Sequence, residues 1–259
     1  VQYRFGKFRL ITSERTNPLM NTEKQRKAKF DSYRHSDGVV FQTERAKQCF
    51  PRDIASKGVV IPNAVGNELV MGASTPEERR KAITAMGRLT DQKDYPTLIK
   101  AFGCFHNSHP DFKLEIYGSG DNKASLCRLT HDMGLDDCVK FEGAVKDAVL
   151  KVASSSCYVM SSTYEGMPNA LMEALAVGTP CVSTDCPFGP AELISNGENG
   201  LLTPVGDDKA LADAICRMVE DTEFAENCAK RAKDIIVKQS VENISQKYLD
   251  YIISVVGNK

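Results

Sequence analysis

Residues 163–180 read TYEGMPNALMEALAVGTP. Two carboxylates, Glu165 and Glu173, stand eight positions apart in a stretch that is otherwise nearly all apolar. Pro168 is pre-set for a first helical turn and Gly178 closes the pattern, so a helix is predicted over 168–177. CYVMSS (157–162) before it and PCVST (180–184) after it read as strands. Strand, helix and strand at this spacing make a β-α-β unit whose helix starts near the carboxyl end of its first strand.

The rhythm extends in both directions. AITAMG (82–87), FKLEIYG (112–118), CVKFEG (138–143) and GLLTP (200–204) read as further strands. Asp94 caps a helix with Pro96 in its first turn and an apolar face of Leu98, Ile99, Phe102 and Phe105. More helices are predicted over 122–134, 145–154, 207–219, 222–238 and 241–256. FRLITS (8–13), GVVF (38–41) and KGVVIPNAV (57–65) form an earlier group of strands, with a polar helix after the first and a linker near 65–80. Such alternation predicts an α/β protein with a Rossmann-like, doubly wound parallel sheet.

At 259 residues, 42% hydrophobic and 26% charged, the chain has ordinary globular composition and length for two modest domains. No apolar run approaches the ~20 residues that span a bilayer. The first residues lack the pattern of a signal peptide. With no initial Met, the expectation is a piece of a longer chain. Nine scattered cysteines with no CxxC pair fit reduced thiols, hence a cytoplasmic location. Net charge is −1, yet residues 1–60 carry 13 Lys and Arg against 6 Asp and Glu. This basic segment suits an anionic lipid surface, such as the cytoplasmic face of the inner membrane, or a phosphate. Lys24, Arg26, Lys27, Lys29 and Arg34 suit a solvated helix face better still.

Ligands of such sheets bind beyond the carboxyl ends of the strands, and four loops there are unusual. In MGRLTDQKDYP (86–96), Gly87 permits close backbone approach, and Arg88 and Lys93 suit a diphosphate, although such loop cations are also at home in water. In IYGSGDNKA (116–124), Lys123 stands where a dinucleotide fingerprint needs its third glycine. Gly118 and Gly120 are read instead as letting a loop pass close to a ligand, or as a tight turn. In KFEGAV (140–145), backbone near Glu142 and Gly143 can edge a flat base. In the opening stretch, Gly166 and Pro168 expose a helix start that attracts phosphate. Glu173, one and a half turns in, suits the paired hydroxyls of a ribose, and Glu165 suits hydroxyls on the far side of the phosphates. The plainer reading leaves both as surface glutamates. No D-x-D metal motif occurs, so no metal and no cofactor is expected.

Taken together, GRL-x-x-QK (87–93) with LIKAF (98–102), IYGSGD (116–121), VKFEG (139–143), EGMPNALMEALAVGTPCVST (165–184), DCPFGPAELI (185–194) and ENGLLTPVGD (198–207) resemble the retaining GT-B glycosyltransferases of the family-4 type, glycosyl transferases group 1. The resemblance covers about residues 57–240. It implies that Arg88 and Lys93 bind the donor diphosphate, Glu173 the ribose and Glu165 the transferred sugar. Backbone of Gly166, Met167, Pro168, Asn169 and Ala170 would meet phosphates and sugar. It implies residues 1–65 as the incomplete end of an acceptor domain, 66–240 as a nucleotide-sugar domain, and 241–259 as a helix crossing back. ITSERTNP (11–18) departs from the family, with Ser13, Glu14 and Arg15 where many members have a histidine near the sugar.

The implied activity is transfer of a hexose or N-acetylhexosamine from a UDP-sugar to a growing glycan or lipid-linked acceptor in cell-surface polysaccharide biosynthesis, with retention of configuration. Nucleic acid is not an expected partner. The fragment alone is expected to bind donor without transferring it, and to expose apolar strand edges at Val39–Phe41. A GT-B-fold nucleotide-sugar epimerase and a non-catalytic nucleotide-sugar-binding protein are the rivals. The E-x7-E spacing favours transfer over the first, and the retained Arg88, Lys93, Glu165 and Glu173 argue against the second.

Overall fold

The structure, a computed structural model that describes residues 8–20, 22–66 and 78–257, contains two parallel sheets. The first holds β1 (Ile11–Glu14), β2 (Gly38–Phe41) and β3 (Gly58–Val60) in that order. Helix α1 (Glu23–Arg34) links β1 to β2 and begins with a capping box in which Thr22 and Gln25 satisfy each other's backbone N–H groups. Two short helices, α2 (Glu44–Gln48) and α3 (Arg52–Ala55), link β2 to β3.

β2 alternates its burial. Val39 and Phe41 pack with Phe30, Tyr33, Phe50 and Ile54 on one face, while Val40 packs with Ile61 and Ile244 on the other. Val39–Phe41 is therefore no exposed edge. β2 is the central strand, paired to β1 and β3 along its length, and all four of its residues are buried. The basic face of α1 is partly spent within the fold: Lys29 pairs with Glu14 at 2.8 Å, and Arg34 pairs with Asp31 and Asp53, each at 2.8 Å.

The second sheet holds β4 (Arg80–Met86), β5 (Lys113–Tyr117), β6 (Val139–Gly143), β7 (Ser155–Met160), β8 (Cys181–Thr184) and β9 (Leu201–Thr203) in the order β6-β5-β4-β7-β8-β9. All its pairs are parallel. Both faces are covered, so its strands read as continuous apolar runs. Cys157 and Val159 of β7 point to a core shared with α4 (Tyr95–His106), α5 (Lys123–Asp132) and α9 (Asp208–Glu220). Tyr158 and Met160 point to a core shared with α6 (Ala148–Ala153) and α7 (Asn169–Ala176). α8 (Pro190–Leu193), α10 (Thr222–Ala232) and α11 (Asp234–Lys238) complete this unit. The single helix expected over 222–238 is thus two, broken at Lys233, and the second buries Ile235 in the α7 core.

Strand order reverses between β4 and β7. The chain winds outward from β4 through β5 to β6, returns to lay β7 on the other side of β4, and continues to β9. A crevice opens at such a switch point, beyond the carboxyl ends of the two central strands. The loops after β4 and β7 carry the motifs of 87–93 and 165–173.

The final helix, α12 (Val241–Gly257), lies on the first sheet. Val65 N–H donates to Gln239 O at 2.7 Å, which brings the chain back to that sheet just before α12 begins. The Tyr251 hydroxyl accepts from Val39 N–H at 2.8 Å and donates to Lys57 O at 2.5 Å, so it joins β2 to the residue preceding β3. A Cβ on Gly38 would lie 2.5 Å from that hydroxyl. Most of the linker expected near 65–80 falls outside the described residues. Among the described residues, no helix is long and apolar enough to cross a membrane.

The clasp makes a prediction. Tyr251→Phe leaves Val39 N–H and Lys57 O without this partner and should lower unfolding stability by about 1–3 kcal/mol. Urea unfolding checks it. An unchanged midpoint would show that apolar packing alone holds α12.

Candidate functional site

The loop after β4 turns on two unusual backbone positions. Asp94 is left-handed, at φ 44° and ψ 48°, and caps α4 through a side chain that accepts from Thr97 N–H at 3.4 Å and Thr97 Oγ1 at 2.7 Å. This turn aims Lys93 back across the loop. A Cβ on Gly87 would stand 2.9 Å from Lys93 Cε and 3.2 Å from the Tyr95 hydroxyl, so glycine there makes room for the lysine stem. Lys93 Nζ then meets Glu165 Oε1 at 2.6 Å. Both side chains are largely buried, 14% exposed for Lys93 and 8% for Glu165.

Gln92 locks the two loops together. Its carbonyl accepts from Thr163 N–H at 2.8 Å, and its side-chain amide donates to Tyr164 O at 2.9 Å. Ser161 Oγ donates to Lys93 O at 2.7 Å. Glu165 N–H donates to Pro187 O at 3.2 Å, and Gly189, at φ 89°, lies under Pro168 and Gly166 O, where a Cβ would come within 2.8 Å. Tyr95 is buried and donates to Gly87 O at 3.1 Å. Burial first, and then the Glu165 charge, push its hydroxyl well above the usual range, so it stays a donor.

Gly118 and Gly120 were expected to let a loop pass close to a ligand or to form a tight turn. Their close approach is to another loop of the protein: a Cβ on Gly118 would sit 1.9 Å from Gly87 O, and one on Gly120 would sit 2.4 Å from Leu89 O. Gly87 N–H donates to Tyr117 O and Leu89 N–H to Ser119 O, each at 2.9 Å, and Gly118 N–H donates to Gly143 O at 2.8 Å. The loops after β4, β5 and β6 thus form one hydrogen-bonded rim. Glu142 is exposed and lies in β6, as the extra residue of a bulge between the pairs Ile116–Phe141 and Tyr117–Gly143. It borders a separate cavity of about 330 Å³ with Arg80, Glu115, Tyr117 and Lys151.

Arg88 is exposed, and its guanidinium makes no hydrogen bond among the described residues. Pro168 takes the N-cap position of α7, one residue before the helix, and supplies no side-chain cap, so the first N–H groups of Asn169 and Ala170 stay available. The Met167 side chain joins the core. Glu173 is half-buried, and its carboxylate has no hydrogen-bond partner among the described residues. Burial raises its pKa.

The first sheet reaches this site through a polar network that the sequence did not signal. Asn63 Nδ2 donates to Asn169 Oδ1 at 2.6 Å, and Asn63 Oδ1 accepts from Gln42 Nε2 at 2.6 Å and Arg15 Nη1 at 3.0 Å. Arg15 also donates to the Tyr248 hydroxyl at 2.9 Å, and its carbonyl leaves only 2.9 Å for a Cβ on Gly166. Glu192 accepts from the Glu44 and Arg45 N–H groups at 3.2 and 3.4 Å. Glu14 is structural: buried and paired with Lys29, it accepts from Thr16 N–H at 3.0 Å and Thr16 Oγ1 at 2.6 Å. Ser13 is exposed.

Two parallel α/β units with a crevice at the switch point define the GT-B class of fold. The chain matches the family Glycosyl transferases group 1 over residues 68–235, and it belongs to that family. It is 34% identical to the exopolysaccharide phosphotransferase SCO2592 of Streptomyces coelicolor over 215 residues, covering 78% of this chain and 22% of that protein. It is 33% identical to the lipopolysaccharide core biosynthesis glycosyltransferase LpsE of Rhizobium meliloti over 201 residues, covering 75% of this chain and 57% of LpsE. The chain therefore spans less than two thirds of either relative. In fold it superposes on Anabaena HepE, solved in complex with UDP-glucose, with a TM-score of 0.85 at 21% identity, covering 95% of this chain and 72% of HepE.

The isolated Glu173 carboxylate makes a signed prediction. Its folded pKa is raised, so the folded state holds the proton more tightly than the unfolded chain does. Ionisation then subtracts stability: the loss is absent below the unfolded value of about 4.3 and complete above the folded value. Glu173→Gln should raise Tm at neutral pH and leave it unchanged below about pH 4. Equal melting temperatures at neutral pH would show that the carboxylate is already satisfied.

Proposed function

We propose that the protein is the donor-binding part of a glycosyltransferase that moves a hexose or N-acetylhexosamine from a UDP-sugar to a growing glycan or lipid-linked acceptor, with retention of configuration. The observation that carries this reading is the contact of Lys93 with Glu165 at the switch point, on the loops that also carry the exposed Arg88 and the start of α7, which has no side-chain cap. HepE, crystallised with UDP-glucose, and LpsE, named for lipopolysaccharide core biosynthesis, support the donor and the setting. In this reading residues 1–65 close an acceptor domain, 66–240 hold the donor, and 241–259 return to the first domain. The reaction takes place in the cytoplasm, at the membrane face where lipid-linked acceptors reside.

The chemistry follows from charge. As the bond from sugar to diphosphate breaks, negative charge grows on the leaving phosphate. With donor bound, Arg88, Lys93 and the N–H groups at the start of α7 face that charge and stabilise it as it grows. Glu173 takes the ribose hydroxyls and Glu165 the hydroxyls of the transferred sugar. In the empty site Glu165 neutralises Lys93. An arriving diphosphate competes for the lysine and frees Glu165 to turn to the sugar. These cations take the place of a divalent metal, and no cofactor is needed. Without the full acceptor domain the near-attack geometry is not held, so this chain binds donor and does not transfer it.

Calorimetry on single variants tests the assignment. Arg88→Ala should weaken UDP binding roughly ten- to a hundredfold, as expected for a lost charge-assisted bond. Lys93→Ala should do the same and also destabilise the fold, by up to about 3–5 kcal/mol, because it strands the buried Glu165. Glu173→Gln should weaken UDP and UDP-sugar alike, whereas Glu165→Gln should weaken UDP-sugar more than UDP. EDTA should change none of these affinities. Unchanged UDP affinity in both cation variants would sink the site, and a loss on chelation that Mg²⁺ or Mn²⁺ restores would overturn its metal-free character.

A further inference from the structure

A second ligand set lies far from the crevice. α4 begins beside Gly87 and runs ~18 Å along the sheet over its 12 residues, so its end lies at the opposite edge. His109 follows that end. Cys216 and Glu220 stand at i and i+4 in the last two turns of α9, on one side of the helix, and α9 packs against α4. The ligand atoms of these three residues lie within 4.8 Å of one another, and His109 Nε2 is 3.3 Å from Glu220 Oε1. His109 is mostly buried, Cys216 half-buried and Glu220 exposed.

The histidine is held in place. Its ring stacks on Phe105 with centroids 4.4 Å apart and meets Phe112 edge-on at 5.9 Å. Its Nδ1 faces Phe105 O at 3.3 Å and Ser108 Oγ at 3.0 Å. In the tautomer with the proton on Nδ1, donated to Phe105 O, the Nε2 lone pair faces Cys216 and Glu220. Metal-bound histidines are commonly oriented by such an outer hydrogen bond. The C-terminal ends of α4 and α9 both face the cluster, and the negative ends of their dipoles favour a cation.

We propose that His109 Nε2, Cys216 Sγ and the Glu220 carboxylate bind one divalent cation of the zinc class and so clamp the end of α4 to α9. Tetrahedral zinc bonds of about 2.0–2.3 Å set its ligand atoms ~3.3–3.6 Å apart, so atoms now within 4.8 Å of one another need to close by no more than about 1.5 Å. On binding, the Cys216 thiol gives its proton to solvent and its sulfur forms the bond to the metal, so affinity rises with pH. Solvent on the Glu220 side supplies the fourth ligand. The alternative is an ion pair between protonated His109 and Glu220, in which the thiol has no part.

Metal titration of the chelator-treated chain separates the two. Co²⁺ should bind at one equivalent and give a thiolate-to-cobalt charge-transfer band that Zn²⁺ displaces. Zn²⁺ should raise Tm. Cys216→Ser should abolish the band and the Tm response. His109→Gln removes a ligand and should weaken binding by more than the roughly ten- to a hundredfold typical of losing only a ligand's outer hydrogen-bond partner. Cys104→Ser and Cys127→Ser, at exposed thiols outside the cluster, should leave both signals intact. Overturning results are no charge-transfer band in the parent chain, or a band that survives Cys216→Ser. UDP affinity is a separate readout, so failure here leaves the donor site untouched.

Discussion

The ion pair between Lys93 and Glu165 is the contact on which the crevice depends. Its partners lie 72 residues apart, on the loops that follow the two central strands. Each charge is expensive to bury alone, and each is tolerated because the other is 2.6 Å away. Several local features serve this contact: Asp94 in a left-handed turn, Gly87 clearing the path of the lysine, and Gln92 fastening both loops. Removing one partner leaves a buried charge, which ties the stability of the fold to the groups proposed to bind the donor.

The second constraint is the junction between the two sheets. It is polar where it meets the crevice, through Arg15, Gln42, Asn63 and Asn169, and apolar where α12 covers the first sheet. Directional bonds at the mouth fix the start of α7 relative to Arg15, and Gly166 lets the two backbones approach. Hydrogen bonds of this kind exchange with water at small net cost, whereas separating α12 from Val40 and Ile61 exposes apolar surface.

The sheet was legible because its strands are buried on both faces and read as apolar runs between turn residues. Asp94 and Pro96 marked the start of α4, and the strand at 38–41 has the expected bounds. Within the site, Arg88, Lys93, Glu165 and Glu173 were legible as residues, and the switch point brings their loops together. Their pairing was not, since nothing local signals a contact across 72 residues. Gly118 and Gly120 were noticed for their lack of a side chain, but nothing local showed that each faces the Gly87–Leu89 backbone. Glu142 was read within the strand at 138–143, where it lies, but the bulge that carries it has no clear sequence mark. Val39–Phe41 was read as an edge because pairing order is set by topology, and both neighbours of β2 lie within the described residues. Asn63 gave no signal, as an asparagine after a strand reads simply as a turn.

The central claim, that these loops form one nucleotide-sugar site, is tested most directly by mapping UDP-induced amide shifts in isotope-labelled protein. The account predicts changes concentrated in residues 87–93, 118–120 and 165–173, on both sides of the β4–β7 switch point. Changes centred instead on the cavity around Arg80, Glu115 and Lys151, with residues 165–173 silent, would contradict it.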